Sequence, residues 1–482
     1  MGPVDSAREN RRVGQEIDRA RFEPRDFERF ARSLGHETQA LGALLEGGGL
    51  SARSDVGGLE VEIWLVDADG LPSPRNEAFL ERLADPNVVH ELARFNVELN
   101  VRPQRLSGEG LRRLEDDLAA TARACEAVAA KLGVSVVAIG ILPTVSDAAL
   151  CPQNMSTSAR YRALNEQVLR MRSGRPIELH LVGIESLRTS HADVMLEAAG
   201  TSMQVHLQVP VALAVRSMNA ASIVSAATVA IAANSPFLFG RRLWAETRIP
   251  LFEQAVDVGG PERRVTFGTS YVRSSLLELF IENQEHYAPI LPMALPAEAG
   301  RFAHLRLHNG TVWRWNRPLV GFDEDGTPHL RIEHRPMAAG PSVLDMTANM
   351  AFFLGLVAWY AQSDAAPERA LPFSSAKQNF YEAARLGLSA RVDWLDGNRW
   401  ELRRLVLDAL LPLAQGGLER LGARRDAIDR YLAVIEGRAA NGRTGAAWQC
   451  AFVDRYGADF GALVRAYREN SAAGEPVHRW AL

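Results

Sequence analysis

The sequence predicts an α+β fold: a largely antiparallel sheet with helices on its outer side and a helical C-terminal region. Three observations point there. Strand-like and helix-like segments alternate from about residue 55 to 340. Several of the strands are apolar on one face and polar on the other, the period-two pattern of an antiparallel sheet. After "AAGPSVLD" (338–345) the apolar spacing turns helical almost to the end. Strands mixed with helices and followed by a helical tail suit helices packed on an antiparallel sheet.

Taken in order, residues 7–46 are charged and helical in pattern and stop at "EGGGL", so 1–50 reads as an N-terminal helical extension. The expected strands are 58–67, 95–101, 134–142, 178–184, 201–210, 303–308, 311–316 and 328–335. Helices are expected at about 109–132, 161–172, 188–199, 215–234 and 275–284, and then in 344–361, 400–413, 416–436 and 443–470. Residues 51–362 form the domain expected to carry the site, and 363–482 a helical region packed on it.

Composition excludes several function classes. The 482 residues are 47% hydrophobic and 23% charged, ordinary for a globular protein, and a net charge of −4 gives no reason to expect a nucleic-acid partner. Cys125, Cys151 and Cys450 fit neither a disulfide framework nor a paired zinc spacing, which suits a reducing cytoplasm. No stretch reads as a membrane span: "AASIVSAATVAIAANSPFLFG" (220–240) is interrupted by polar residues and Pro and reads as a buried helix. The N-terminus lacks the apolar core of a signal peptide, and "MGPVDS" matches a myristoylation pattern too short to carry weight. All but two of the 54 basic residues are arginine. Neither Lys131 nor Lys377 lies in a Gly-Lys-Ser/Thr context, so there is no P-loop, and phosphate would fall to arginines and metal ions.

The polar faces of the strands carry the chemistry. In "GLEVEIWLVD" Glu60 and Glu62 share a face; in "FNVELNV" Glu98 lies with Asn96 and Asn100; in "TSMQVHLQVP" Gln204, His206 and Gln208 alternate with apolar residues. Arg331, Glu333 and Arg335 share a face of "HLRIEHRP", and His304, Arg306 and His308 alternate in the segment that leads to Arg314, Trp315 and Arg317. Any one strand could owe this to a solvated sheet face. Jointly, Glu, Gln, His, Asn and Arg in place of Lys, Thr and Ser suggest a walled, carboxylate-lined concavity. Hard divalent ions take oxygen ligands and share them with substrate phosphates, and arginine forks bind phosphate or carboxylate. The residues alone thus point to a metal–nucleotide site.

In order along the chain, "GLEVE", "VELN", "MSTSARY", "TSMQVHLQV", "ANSPFLFGRRLWAETR" and "LRIEHR" resemble the second glutamate–cysteine ligase family, over about 55–360. The resemblance implies a curved, glutamine-synthetase-like sheet and an ATP-dependent carboxylate–amine ligase that forms an amide through an acyl phosphate. Glutamate's γ-carboxyl is the expected donor, and the cofactors are ATP and Mg²⁺, with Mn²⁺ as a substitute. It implies metal-binding roles for Glu60, Glu62, Glu98, His206 and Glu333, with Glu98 also bordering the substrate. Arg335 and Glu333 become the catalytic pair beside the transferred phosphoryl group, and Arg248 the clamp on the substrate carboxylate. Gln204, Arg314, Arg160 and Tyr161 fall to the nucleotide. The partners implied are a small-molecule carboxylate and an amine, with a homo-oligomer left open. The aromatic, arginine-rich stretch "NGTVWRWNRPLVGFDEDGTPH" departs from the family pattern and puts cysteine as the acceptor in question.

Two readings from other classes stand beside this one: a phosphotransferase on the same sheet, and a non-catalytic scaffold. His304, His308 and His334 are read as structural, Trp313 and Trp315 as packing, and the cysteines as inert core residues.

Overall fold

The structure is a computed structural model, and it describes residues 21–260, 263–295 and 301–482. Helix α1 (Pro24–Gly47) supplies most of the expected N-terminal helix, while its start at 7–20 and the "MGPVDS" pattern lie outside the described residues.

Seven strands form one sheet: β1 (Val56–Val66), β2 (Val88–His90), β3 (Asn96–Arg105), β4 (Ser135–Val137), β5 (Met203–Val209), β6 (Asn316–Phe322) and β7 (Pro328–His334). Their order is β6-β7-β5-β1-β3-β2, with β4 paired to the end of β1, and every pairing is antiparallel. The α+β architecture expected from the sequence is therefore present.

Register explains why distant acids can meet. Glu62 stands opposite Glu98, and Glu60 lies between Asn100 on β3 and Gln204 on β5. Glu333 stands opposite His206 on one side and Arg317 on the other. Opposed residues share a face at about 4.5–5.5 Å, so these side chains form a row across the sheet. The alternate residues face outer helices: His334 stacks on Phe353 at 4.0 Å and meets Thr228 Oγ1 at 2.9 Å.

Those helices include α4 (Val211–Ile231) and α7 (Val343–Ala361), which follow α2 (Gly110–Lys131) and α3 (Ala159–Met171) in the chain. Both α4 and α7 are long and apolar enough to cross a membrane by length and composition, so the expectation of no such run is corrected. Of their most apolar windows, 89% and 83% is buried inside the protein, which makes them core helices. Their apolar character all round, without a polar stripe, is what a helix buried on every side requires. Helix α7 crosses the helix Leu411–Arg420 backbone to backbone. A Cβ on Gly355 would lie 2.3 Å from the Ala414 carbonyl, and one on Gly417 would lie 1.8 Å from the Gly355 carbonyl.

Several local expectations are overturned. Residues 303–308 are a helix, α6 (Ala303–Asn309), which comes after α5 (Arg248–Ala255) in the chain. Six residues of period-two alternation fit a short helix equally well, and a carboxylate from α1 completes its first turn. Glu37 accepts the Leu305 N–H (2.8 Å) and lies 2.6 Å from His304 Nδ1. The expected helix 188–199 begins as strand Ser186–His191, paired with Ile177–Val182, and only Met195–Ala199 is helical. The expected strand 311–316 is a two-residue piece, Trp313–Arg314, before β6. Strand β6 carries Pro318 and is tolerated because it is the sheet's edge. The tail is helical apart from a small hairpin, Arg391–Asp393 with Arg399–Glu401.

Candidate active site

Two groups of potential metal ligands sit side by side on the polar face. Glu60, His206 and Glu333 each bring a ligand atom within 4.8 Å of the others, and so do Glu62, Glu91 and Glu98. Five of the six stand on sheet strands in the register above; Glu91 follows β2 directly.

Electrostatics separate the two groups. Burial opposes ionisation of Glu333, yet Arg317, Arg335 and His206 outweigh it and hold this carboxyl far below the usual range. The Arg317 fork spans both Glu333 oxygens, at 2.7 and 3.0 Å, and Arg335 Nη1 lies 3.2 Å from one of them. Glu60 is likewise lowered: burial is overcome by His206, whose Nε2 lies 3.0 Å from Glu60 Oε1. In the second group burial wins. Glu98 is raised well above its normal value by burial and by Glu60, Glu91 and Glu62, although Asn100 donates to it at 2.9 Å. Glu91 is pushed up to about 7 by burial and Glu62. Glu62 is raised by burial despite hydrogen bonds from Ser202 N–H (2.6 Å), Ser202 Oγ (3.0 Å) and Gln204 Nε2 (3.0 Å).

The residues fit hard divalent cations. Neither nitrogen of the buried His206 ring has an aligned hydrogen-bond partner among the described residues. Glu62, Glu91 and Glu98 repel one another in a way a cation would relieve, and the donor set is dominated by carboxylate oxygen.

Beside the acids lies a cleft lined by Glu62, Glu197, Arg248, Phe252, Trp315 and Arg335, among others. Arg248 opens α5. It pairs with the buried Glu246 at 3.3 Å, donates through Nη2 to the Pro336 carbonyl, and lies over the Trp315 ring at 5.6 Å. Much of its fork is thus anchored to the protein, more than a free carboxylate clamp would show. Arg335 donates to Gln204 Oε1, which ties the β5 residue to the end of β7.

The remaining sequence-derived residues divide. Arg160 opens α3 close enough for its charge to act on Glu91 and Glu197. Tyr161 donates its hydroxyl to the His90 carbonyl at 3.1 Å and so borders the second group. Arg314 stands apart from the others. Its guanidinium turns to Glu282 (3.2 Å) and Asn283 (2.9 Å) in the interior and does not line the cleft. Both partners meet Nη2, while the buried Nε and Nη1 have no hydrogen-bond partner among the described residues.

Sequence reasoning missed Glu91, Glu197 and the role of Arg317. Glu91 and Glu197 lie outside any alternating strand pattern. Arg317 directly precedes Pro318, which argues against a regular strand there, and only strand register shows that it faces Glu333.

The profile of glutamate-cysteine ligase family 2 matches residues 56–469. Among solved structures, glutamate–cysteine ligase from Francisella tularensis in complex with AMP is similar at 12% identity and a TM-score of 0.52, covering 88% of this chain and 91% of that one. A bifunctional glutathione synthetase from Pasteurella multocida is similar at 14% identity and a TM-score of 0.56. That match covers 91% of this chain, which spans only 55% of the longer protein. At these identities the likeness establishes the fold. No curated protein sequence matches the chain.

Proposed function

The chain belongs to glutamate–cysteine ligase family 2 and is an ATP-dependent carbon–nitrogen ligase, and from that premise we propose that it joins the γ-carboxyl of glutamate to an amine through an acyl phosphate. The observation that carries this reading is the convergence of five glutamates and His206 on one sheet face, beside a cleft that Arg335 enters while paired to Glu333.

A carboxylate is a poor electrophile because oxide would have to leave. Its oxygen attacks the γ-phosphorus of ATP, ADP departs, and the resulting acyl phosphate has phosphate as a leaving group. Mg²⁺ supplies neutralisation of the triphosphate when bound. Glu60, His206 and Glu333 would hold one ion, and Glu62, Glu91 and Glu98 another. Arg335 would stabilise charge on the phosphoryl group in transfer. Arg248, with Glu246 and the Pro336 carbonyl fixing it, would present its remaining N–H to the substrate carboxylate.

Gln204, Arg160 and Tyr161 stay with the nucleotide in this reading. Arg314 stays a candidate for the nucleotide, and Arg331 and Arg306 join it. Arg331 acts electrostatically on Glu60, Arg306 feels the charge of Arg331, and neither pairs with a carboxylate among the described residues. We also place residues 51–362 as the catalytic unit and the protein in the cytoplasm, consistent with three unpaired cysteines.

ADP release with Mg²⁺, ATP and glutamate against a panel of amines that includes cysteine, with mass spectrometry of products, tests the proposal. Amine-dependent ADP release with a product lighter by one water than its two substrates supports it. A phosphorylated product without amide overturns it.

A further inference from the structure

Glu197 is left over by the chemistry described above. It sits on the single helical turn Met195–Ala199, which leads into β5, and lines the cleft with Arg248, Arg335, Phe252 and Trp315. The other polar side chains there are committed. Glu62 is held by Ser202 and Gln204, Arg335 by Glu333 and Gln204, Arg248 by Glu246 and the Pro336 carbonyl, and the Trp315 indole donates to Glu253 at 2.9 Å. The Glu197 carboxylate makes no hydrogen bond or ion pair among the described residues, and it belongs to neither three-ligand group.

We propose that Glu197 receives the amine substrate as an ammonium ion next to the acyl group and takes one of its protons, so that the neutral amine forms the C–N bond as phosphate leaves. The inference rests on the ligase reading and adds the group that recognises the second substrate. A carboxylate withdrawn from water without a partner is unfavourable, and here repulsion from Glu91 and Glu62 outweighs the attraction of Arg335 and Arg160. One monovalent cation offsets both effects. The cleft also offers what an amine's stem needs: Leu251, Phe252 and Trp315 are apolar, and aromatic faces favour an adjacent cation. Arg335, which we place on the transferred phosphoryl group, opens into the same cleft, so an amine on Glu197 would lie beside the bond it must attack.

The test compares two nucleophiles in Glu197→Gln: the panel amines, which are cationic near neutral pH, and hydroxylamine, which is uncharged there and reports acyl phosphate as hydroxamate. Mn²⁺ titration supplies a readout independent of turnover. The expected result is a rise of roughly tenfold or more in the amine's KM, a much smaller change for hydroxylamine, and unaltered Mn²⁺ affinity. Equal losses with both nucleophiles, an unchanged amine KM, or weakened Mn²⁺ binding would each overturn the assignment. So would a wild-type protein that makes hydroxamate but accepts none of the amines. A wild-type protein that makes neither product overturns the ligase reading itself, which separates the two failures.

Discussion

Arg317 on β6 faces Glu333 on β7 in direct register, and its fork fills both carboxylate oxygens, at 2.7 and 3.0 Å. Neither group is exposed, so the pair is one in which removing a partner costs far more than the pair contributes. Arg317→Ala is expected to lower stability by about 3–5 kcal/mol and to weaken Mn²⁺ binding, because the Glu333 carboxyl would lose its strongest counter-charge. Arg317→Lys keeps the charge but loses the fork, and should restore only part of both. Urea unfolding and Mn²⁺ titration check this.

Glu333→Gln removes the charge and keeps the shape. ADP production is expected to vanish while circular dichroism stays that of the wild type. Near-normal turnover in this variant would take Glu333 out of the chemistry.

Arg248→Ala is expected to raise the KM for the carboxylate substrate at least ~tenfold and to leave the KM for ATP nearly unmoved. Steady-state kinetics with each substrate varied in turn decide it. Equal changes would make Arg248 a fastener for the Pro336 backbone and nothing more.

Glu91 titrates at about 7 instead of 4.5 in the folded protein. Without metal, the folded chain therefore binds more protons than the unfolded one between those values. That contribution to stability is complete below pH 4.5 and is lost as pH rises through 7. Metal binding must displace the proton, so Mg²⁺ affinity should fall as pH drops below 7. Thermal midpoints across pH 4.5–8, with and without Mg²⁺, should diverge most at the alkaline end.

Gly417→Ala places a methyl against the Gly355 carbonyl, where 1.8 Å is available. Backbone on both sides cannot yield as a side chain would, and a loss of about 1–3 kcal/mol is expected. Differential scanning calorimetry measures it, and an unchanged midpoint would show that the two helices separate freely.

Alternation in "GLEVE", "VELN", "QVHLQ" and "RIEHR" made the sheet and five of its six metal-ligand candidates legible, because period two is also the register that brings them together. It failed where the pattern was short. "FAHLRLHN" alternates and yet is helical, because Glu37, 267 residues away, satisfies its first turn. Arg314 was given to the nucleotide from the sequence, and only three-dimensional contact shows that its Nη2 turns to Glu282 and Asn283. Glu91 and Glu197 stand in a strand end and a single turn, where no periodicity marks a side chain's direction.

The Glu37 contact also changes what the chain's beginning is for. A helix that precedes the whole sheet reaches across to brace α6, and α6 carries Arg306 and leads into the strand that presents Arg317. A protein trimmed at residue 50 would keep every acidic ligand and still lose the strut behind its arginine wall. The appendage is part of the frame.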